Sequence, residues 1–229
     1  MLAANILIGF QVLGALLGLL LSYAIILWGI PARLRIQERP HALARFHSHL
    51  PLIGLNLLIV LGPPWILAVM FPSALDLARP PGWVLLGQCV FVLGFDDLWF
   101  YGIHRIMHEN KAIYRRIHRI HHEAYAPLPL EYIYTHPLEM LAGTIGMAAP
   151  LAVLYLWQGT MSLWTVAICT GLRQIHELDI HSGFRAILFR WIPLLAPAEH
   201  HDRHHAKPNL GNYGSATLIW DRVFGTLAD

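Results

Sequence analysis

The sequence predicts an all-α integral membrane helical bundle of four to five spans, carrying a cytosolic helical cap that holds metal in histidine side chains. Three observations predict it: long stretches without charge, histidines repeated at helical spacings, and basic residues confined to one side of the spans. Of 229 residues, 56% are hydrophobic and only 13% charged, and the mean hydropathy is +0.49. Soluble domains carry about 25% charged residues, so composition alone points to a lipid environment.

No charged residue occurs in residues 1–32, 50–74 or 140–172. A bilayer-crossing helix needs about 20 apolar residues, so the first two stretches supply one span each, over residues 4–30 and 52–71. The first lacks a basic n-region and far exceeds the roughly 7–15 apolar residues of a signal-peptide core, so it is expected to remain as a span. A further apolar run over 83–101 enters the first histidine pair. The third charge-free stretch suits a hairpin of two short spans turning near Gln158-Gly159-Thr160. Cys89 and Cys169 fall inside these spans, where they read as packing residues rather than a disulfide or thiolate site. The chain reads as one domain, with N-terminal membrane helices over 1–82 and a histidine-rich region over 83–229. No glycine-rich phosphate loop, haem module, reductase domain or internal repeat beyond a duplicated HxxHH is recognisable, and no nucleic-acid partner is expected.

Arg33, Arg35, Arg39 and Arg45 follow the first span, which places that loop in the cytoplasm. Counting spans from there puts Arg105, Lys111, Arg115, Arg116, Arg119, Arg173 and the tail with Arg185, Arg190, Arg203, Lys207 and Arg222 on the same side. Of the sixteen basic residues only Arg79 falls opposite. All fifteen histidines also lie at or near the cytoplasmic face.

The histidines read His104-x-x-x-His108, His118-x-x-His121-His122, a lone His136, His176-x-x-x-x-His181 and His201-x-x-His204-His205. Residues three and four apart share a helix face, so each HxxHH is expected to aim three imidazoles at one point. Neutral imidazole suits iron, zinc and copper better than magnesium or calcium. Ten ligands exceed what one ion takes and fit two ions close together: His104, His108, His118, His121, His122, His176, His181, His201, His204 and His205. Residues 111–123 read as a helix over the membrane surface, ended by Pro127 and Pro129. Asp97, Tyr101, His104 and His108 form one helical stripe, on which a carboxylate can fix the tautomer of a ligand histidine. His136 and His200 are candidates for a similar supporting role, whereas His41, His47 and His49 read as surface or interfacial residues. Gly211-Asn212-Tyr213-Gly214 reads as a turn, and residues 220–225 as a closing segment at the membrane interface.

These motifs, in this order, resemble the fatty acid hydroxylase/sterol desaturase superfamily. The resemblance rests on Asp97-x-x-x-Tyr101-x-x-His104-Arg105-x-x-His108 and Tyr114-Arg115-x-Ile117-His118-x-x-His121-His122-Glu123. It continues through His136-Pro137-Leu138-Glu139, His181-Ser182-Gly183, His201-Asp202-x-His204-His205, Asn212-Tyr213-Gly214 and Trp220-Asp221-Arg222-x-Phe224-Gly225-Thr226. Glu131-Tyr132 and Ala198-Glu199 look most like the C4-methyl sterol oxidase branch, while the spacing from His176 to His181 is similar to carotenoid hydroxylases.

The resemblance implies two iron ions held by histidine alone. With O2 and two electrons they hydroxylate or desaturate a C–H bond of a sterol-like, fatty acyl or isoprenoid lipid entering from the bilayer. Iron fits this role because it accepts imidazole and changes oxidation state, which zinc cannot do. Asp97, Tyr101 and His136 are then expected at the reacting site. Electrons would come from NAD(P)H through a separate reductase and a cytochrome b5- or ferredoxin-like carrier. Two alternatives remain: a carotenoid-type hydroxylase, and a non-catalytic or transporting metal-binding membrane protein. A transporter places ionisable residues on a path near the bilayer midplane, whereas here they are expected at one face.

Overall fold

The computed structural model describes residues 2–38, 41–185, 192 and 194–228; Arg39 and Arg190, counted in the charge asymmetry, lie outside the described residues. Three long helices come first, α1 (Leu2–Trp28), α2 (Leu43–Met70) and α3 (Gly82–Glu109). A compact excursion follows, through α4 (Lys111–Ile113), a π-helical turn (Tyr114–His118) and α5 (Arg119–His122). The chain then forms α6 (Pro137–Gln158) and α7 (Leu163–Ile180), and closes with α8 (Ala198–Ala206) and α9 (Ile219–Val223). Two strands of two residues each pair in parallel, Leu75 with Met161 and Asp76 with Ser162.

Among the described residues four helices, α1, α2, α3 and α6, are long and apolar enough to cross a membrane. The 27 residues of α1 reach about 40 Å at ~1.5 Å per residue, more than the ~30 Å hydrocarbon core of a bilayer. Leu13, Leu20, Trp28, Leu58, Leu86 and Leu156 are all exposed, an apolar exterior suited to lipid rather than water. The chain is an integral membrane protein. α2 starts earlier than its charge-free stretch and runs through Pro51, Pro63 and Pro64. Membrane helices tolerate such prolines because neighbouring groups satisfy the freed carbonyls. Its added first turns carry His47 and His49.

The hairpin forms where the charge-free stretch suggested. Gly159 closes α6 at φ +77°, a left-handed cap that costs glycine nothing, and the Ser162 side chain caps α7 by accepting from the Thr165 N–H. α7 returns through the bundle without being one of the four apolar helices. It packs on α1 and α3, leaving Trp164, Leu172 and Ile175 exposed, and its covered face can carry polar groups that lipid would reject. Gly14 and Gly18 let α1 approach closely: a Cβ at Gly14 would strike the Gln174 side chain, and one at Gly18 would strike Leu178. Small residues four apart are the usual means of such contact between membrane helices. Arg173 of α7 pairs with Asp96 of α3 and lies 4.0 Å from Glu177. The ionisable residues are therefore not all at one face, because this pair satisfies itself inside the bundle. Removing one partner of a buried pair costs about 3–5 kcal/mol.

Among the described residues, five helices thus run between two ends of the molecule. At one end Leu7, Ala68, Leu75, Met161, Leu163 and Val166 pack together. At the other, the C-termini of α1, α3 and α7 meet the N-termini of α2 and α6. The short helices and residues 128–135 cap this end, over a core of Ile25, Phe46, Ile53, Leu128, Leu130 and Ile133. Cys89 and Cys169 are buried and free, packed against Val92 and Leu154.

Candidate metal centre

Asn110 both ends α3 and starts the cap, its side chain accepting from the N–H groups of Ala112 and Ile113. The π turn then widens the helix by one residue per turn, a distortion that recurs at functional sites. Nine imidazoles converge beneath it in two adjoining groups. His104, His108, His118, His122 and His204 form one; His121, His181, His201 and His205 form the other, and within each group the ligand atoms lie within 4.8 Å of one another.

Neither HxxHH points at one place. The first and last histidines of each motif stay together, His118 with His122 and His201 with His205, while His121 and His204 cross to the opposite group. Successive residues on a helix are about 100° apart, so i+3 and i+4 flank the direction of residue i on opposite sides. The two motifs therefore exchange one imidazole each.

In five of the nine rings the partner of the outer nitrogen fixes the role of the inner one. Nδ1–H of His104 donates to the Tyr213 carbonyl at 2.7 Å, that of His204 to Gly211 at 2.8 Å, that of His181 to Glu177 at 2.9 Å and that of His121 to Tyr134 at 3.2 Å. His118 Nδ1–H donates to Glu139 Oε1 at 2.8 Å. A carbonyl can only accept, so the proton sits on Nδ1 and Nε2 presents a lone pair inward. The Nε2 atoms of His118 and His108 are 2.8 Å apart, and those of His201 and His181 are 3.0 Å apart. Ligands at right angles about a metal ~2.1 Å away stand about 3.0 Å apart. His104 Nε2 and His204 Nε2 are buried with no hydrogen-bond partner among the described residues. Converging buried lone pairs without protons between them suit a cation, and the donor set fits transition metals.

Burial first, and crowding by neighbouring imidazoles second, hold His118, His122 and His201 well below the ordinary histidine pKa. Burial likewise lowers His181, His204 and His205. His121 is pushed down to about 4 by burial, against the raising effect of the Tyr134 carbonyl. All are neutral near pH 7, the form a metal requires.

The remaining candidates lie elsewhere. His176 joins neither group; its Nε2–H donates to the Ser215 carbonyl at 2.7 Å. His136 caps α6, its Nδ1 accepting from the Leu138 N–H at 3.1 Å. His200 donates to Asp221 at 3.2 Å. Asp97 touches no ligand histidine: it accepts from the Thr217 N–H and hydroxyl and from the Trp220 indole. Tyr101 bonds the Thr226 hydroxyl at 3.0 Å and stacks on Phe224. Both therefore fasten the C-terminal segment to α3, and that segment presents the carbonyls that hold His104 and His204. His47 is exposed beside the Tyr23 hydroxyl, whereas His49, read as interfacial, is buried against Glu131.

Two residues of the sequence motifs have roles that the sequence did not disclose. Asp221 is fully buried and accepts from the N–H groups of Tyr213 and Gly214 and from the Thr226 hydroxyl. It shapes the turn whose carbonyls hold His104 and His204; the Trp220-Asp221-Arg222 motif names the residue but not this role. Glu139, directly after His136-Pro137-Leu138, signals a helix N-terminus, but its partner His118 cannot be read from that.

The family model for fatty acid hydroxylase matches residues 89–226. Methylsterol monooxygenase 1 of Rattus norvegicus is 37% identical over 154 residues, 66% of this chain and 50% of that protein. Its counterpart in Gallus gallus is 37% identical over 149 residues, 64% of this chain and 48% of that protein. A very-long-chain aldehyde decarbonylase of Oryza sativa subsp. indica is 33% identical over 157 residues, 65% of this chain and 55% of that protein. The chain thus spans about half the length of these curated relatives. No solved structure matches it.

Proposed function

Because the chain belongs to the fatty acid hydroxylase family, we propose that it is a membrane oxidoreductase that hydroxylates or desaturates a C–H bond of a sterol-like lipid. The observation that carries this reading is the meeting of nine imidazoles in two adjoining groups of five and four. Two iron ions held there would supply the redox chemistry that couples O2 to oxidation of an unactivated C–H bond. The methylsterol monooxygenase relatives favour a sterol-like substrate over a fatty acyl or isoprenoid one.

The chain's own residues define the environment of that chemistry. The Tyr213, Gly211, Tyr134 and Glu177 carbonyls and the Glu139 carboxylate orient five of the nine imidazoles, His104, His204, His121, His181 and His118. Packing beneath the cap keeps water from the reacting carbon, and the apolar exterior of the bundle lets a lipid approach sideways. For hydroxylation the balance is one C–H bond and O2 converted, with two electrons and two protons, to an alcohol and water. The electrons come from NAD(P)H through a separate cytochrome b5- or ferredoxin-like carrier, and the cap faces the cytoplasm, where that supply lies.

Protein purified from iron-replete cells should carry close to two irons per chain. Supplied with a reduced carrier and O2, it should add one oxygen to, or remove two hydrogens from, a 4-methyl sterol, read as a mass change of the product. Long-chain fatty acyl lipids, carotenoids and long-chain aldehydes form the comparison panel. Two irons with turnover of the aldehyde alone would reassign the substrate; one iron or none would sink the dinuclear reading.

A further inference from the structure

Resting on the metal reading above, we propose that His49, in the second membrane helix, is a positioning residue for the group of His121, His181, His201 and His205. It acts on His121 through Tyr134. Phe46, His49, Ile53 and Asn56 form one buried stripe of α2, at spacings that share a helix face. That stripe lies against residues 128–135. His49 Nδ1–H donates to Glu131 Oε1 at 2.6 Å, with the two side chains 6% and 5% exposed. The other carboxylate oxygen accepts from the Leu128 N–H at 2.8 Å.

The His49 ring also lies flat on Tyr134, with centroids 3.8 Å apart and planes 13° from parallel. About two helical turns further along α2, Asn56 donates to the carbonyls of Ile133 at 2.9 Å and Thr135 at 2.8 Å. These are the residues on either side of Tyr134, and the Tyr134 hydroxyl donates to Glu123 at 3.0 Å. Tyr134 is therefore held at its ring face, at its hydroxyl and at both flanking peptides. The carbonyl left between these restraints accepts from His121 Nδ1–H.

A merely structural role would not need this chemistry. A well-packed apolar pair fills the same space without desolvating a carboxylate and is often as stable or more so. Directional bonds do what apolar packing cannot: they set the aim of one carbonyl. The ligands of the other group take their restraints from α6 and from residues 211–213, so the effect should be confined to one group.

The test loads the full-length protein with 57Fe in detergent and records Mössbauer spectra during challenge with a chelator. His104→Ala identifies the signal of the five-histidine group, and His181→Ala that of the four-histidine group. His49→Phe keeps a ring over Tyr134 but strands a buried carboxylate, so the double variant His49→Phe/Glu131→Leu removes both. Supporting partners of metal ligands are worth about 10–100-fold in affinity. At one further remove, both variants should lose iron from the four-histidine group about three- to tenfold faster than wild type, with the other signal unchanged. His47→Ala should match wild type, and metal-free double variant should unfold within a few degrees of it. Equal loss from both groups, or loss from neither, overturns the positioning role. A wild-type spectrum with a single iron environment overturns instead the dinuclear reading on which it rests.

Discussion

His118, His122, His181, His201, His204 and His205 surrender their water on folding, and burial holds each well below the ordinary histidine value. His121 reaches about 4, while the unfolded chain titrates near 6.5. As pH falls through that interval the unfolded state takes up protons that the folded state refuses, so stability is present above about 6.5 and is lost toward acid. Metal-stripped protein should therefore show a Tm that falls steeply from about pH 7.5 to 5, because several imidazoles act together. A Tm that does not move over that range would mean the rings are not packed as neutral ligands. The imidazoles themselves were legible in the sequence, since type and spacing advertise them. Their restraints were not, because Glu139 is 21 positions from His118 and the other four partners are backbone carbonyls, which side-chain identity does not mark.

At the scale of elements, helical spacing correctly brought the histidines together but not their distribution between the groups. A stripe on an isolated helix does not say how many acceptors face it, and α5 and α8 each face two. The 211–214 turn was legible as a turn, not as a tool. Gly211 sits at φ +102°, and a Cβ there would meet the Thr226 carbonyl. Gly211→Ala should cost about 1–3 kcal/mol and shift the carbonyl that holds His204, read as a lower Tm together with reduced iron content. Gly225, at φ +67° with open space around it, is the control. Its alanine variant should cost about 1 kcal/mol and keep its iron. Equal iron in both variants would show that the turn does not govern His204.

The whole molecule was the most legible, because charge-free length and clustered histidines are global signals that survive local error. Helix α7, half covered by its neighbours, was harder. Its apolar half reads as lipid-facing from sequence alone, and only its packing between α1 and α3 explains why Arg173 and Glu177 are tolerated in its other half. With five passes between the two ends, the cap and residue 228 lie at the end opposite Leu7. The basic residues favour the cytoplasm for that cap end. A fluorescent protein fused after Asp229 should glow and alkaline phosphatase fused there should be inactive; the reverse pattern would turn the molecule over and remove the proposed supply of electrons.

The anchoring of Thr217 on Asp97 also says something about time. The two are 120 residues apart, and synthesis proceeds at roughly 5–20 residues per second, so the acid is made about 6–24 s before its acceptor sites are filled. Asp96 waits too, for Arg173, 77 residues later. During that interval the third helix must rest at the membrane with two adjacent carboxylates unmatched, and its final depth is decided by segments not yet made. Assembly of this protein is therefore bound to finish late: until the last stretch of chain arrives, there is neither a settled third helix nor a place for metal.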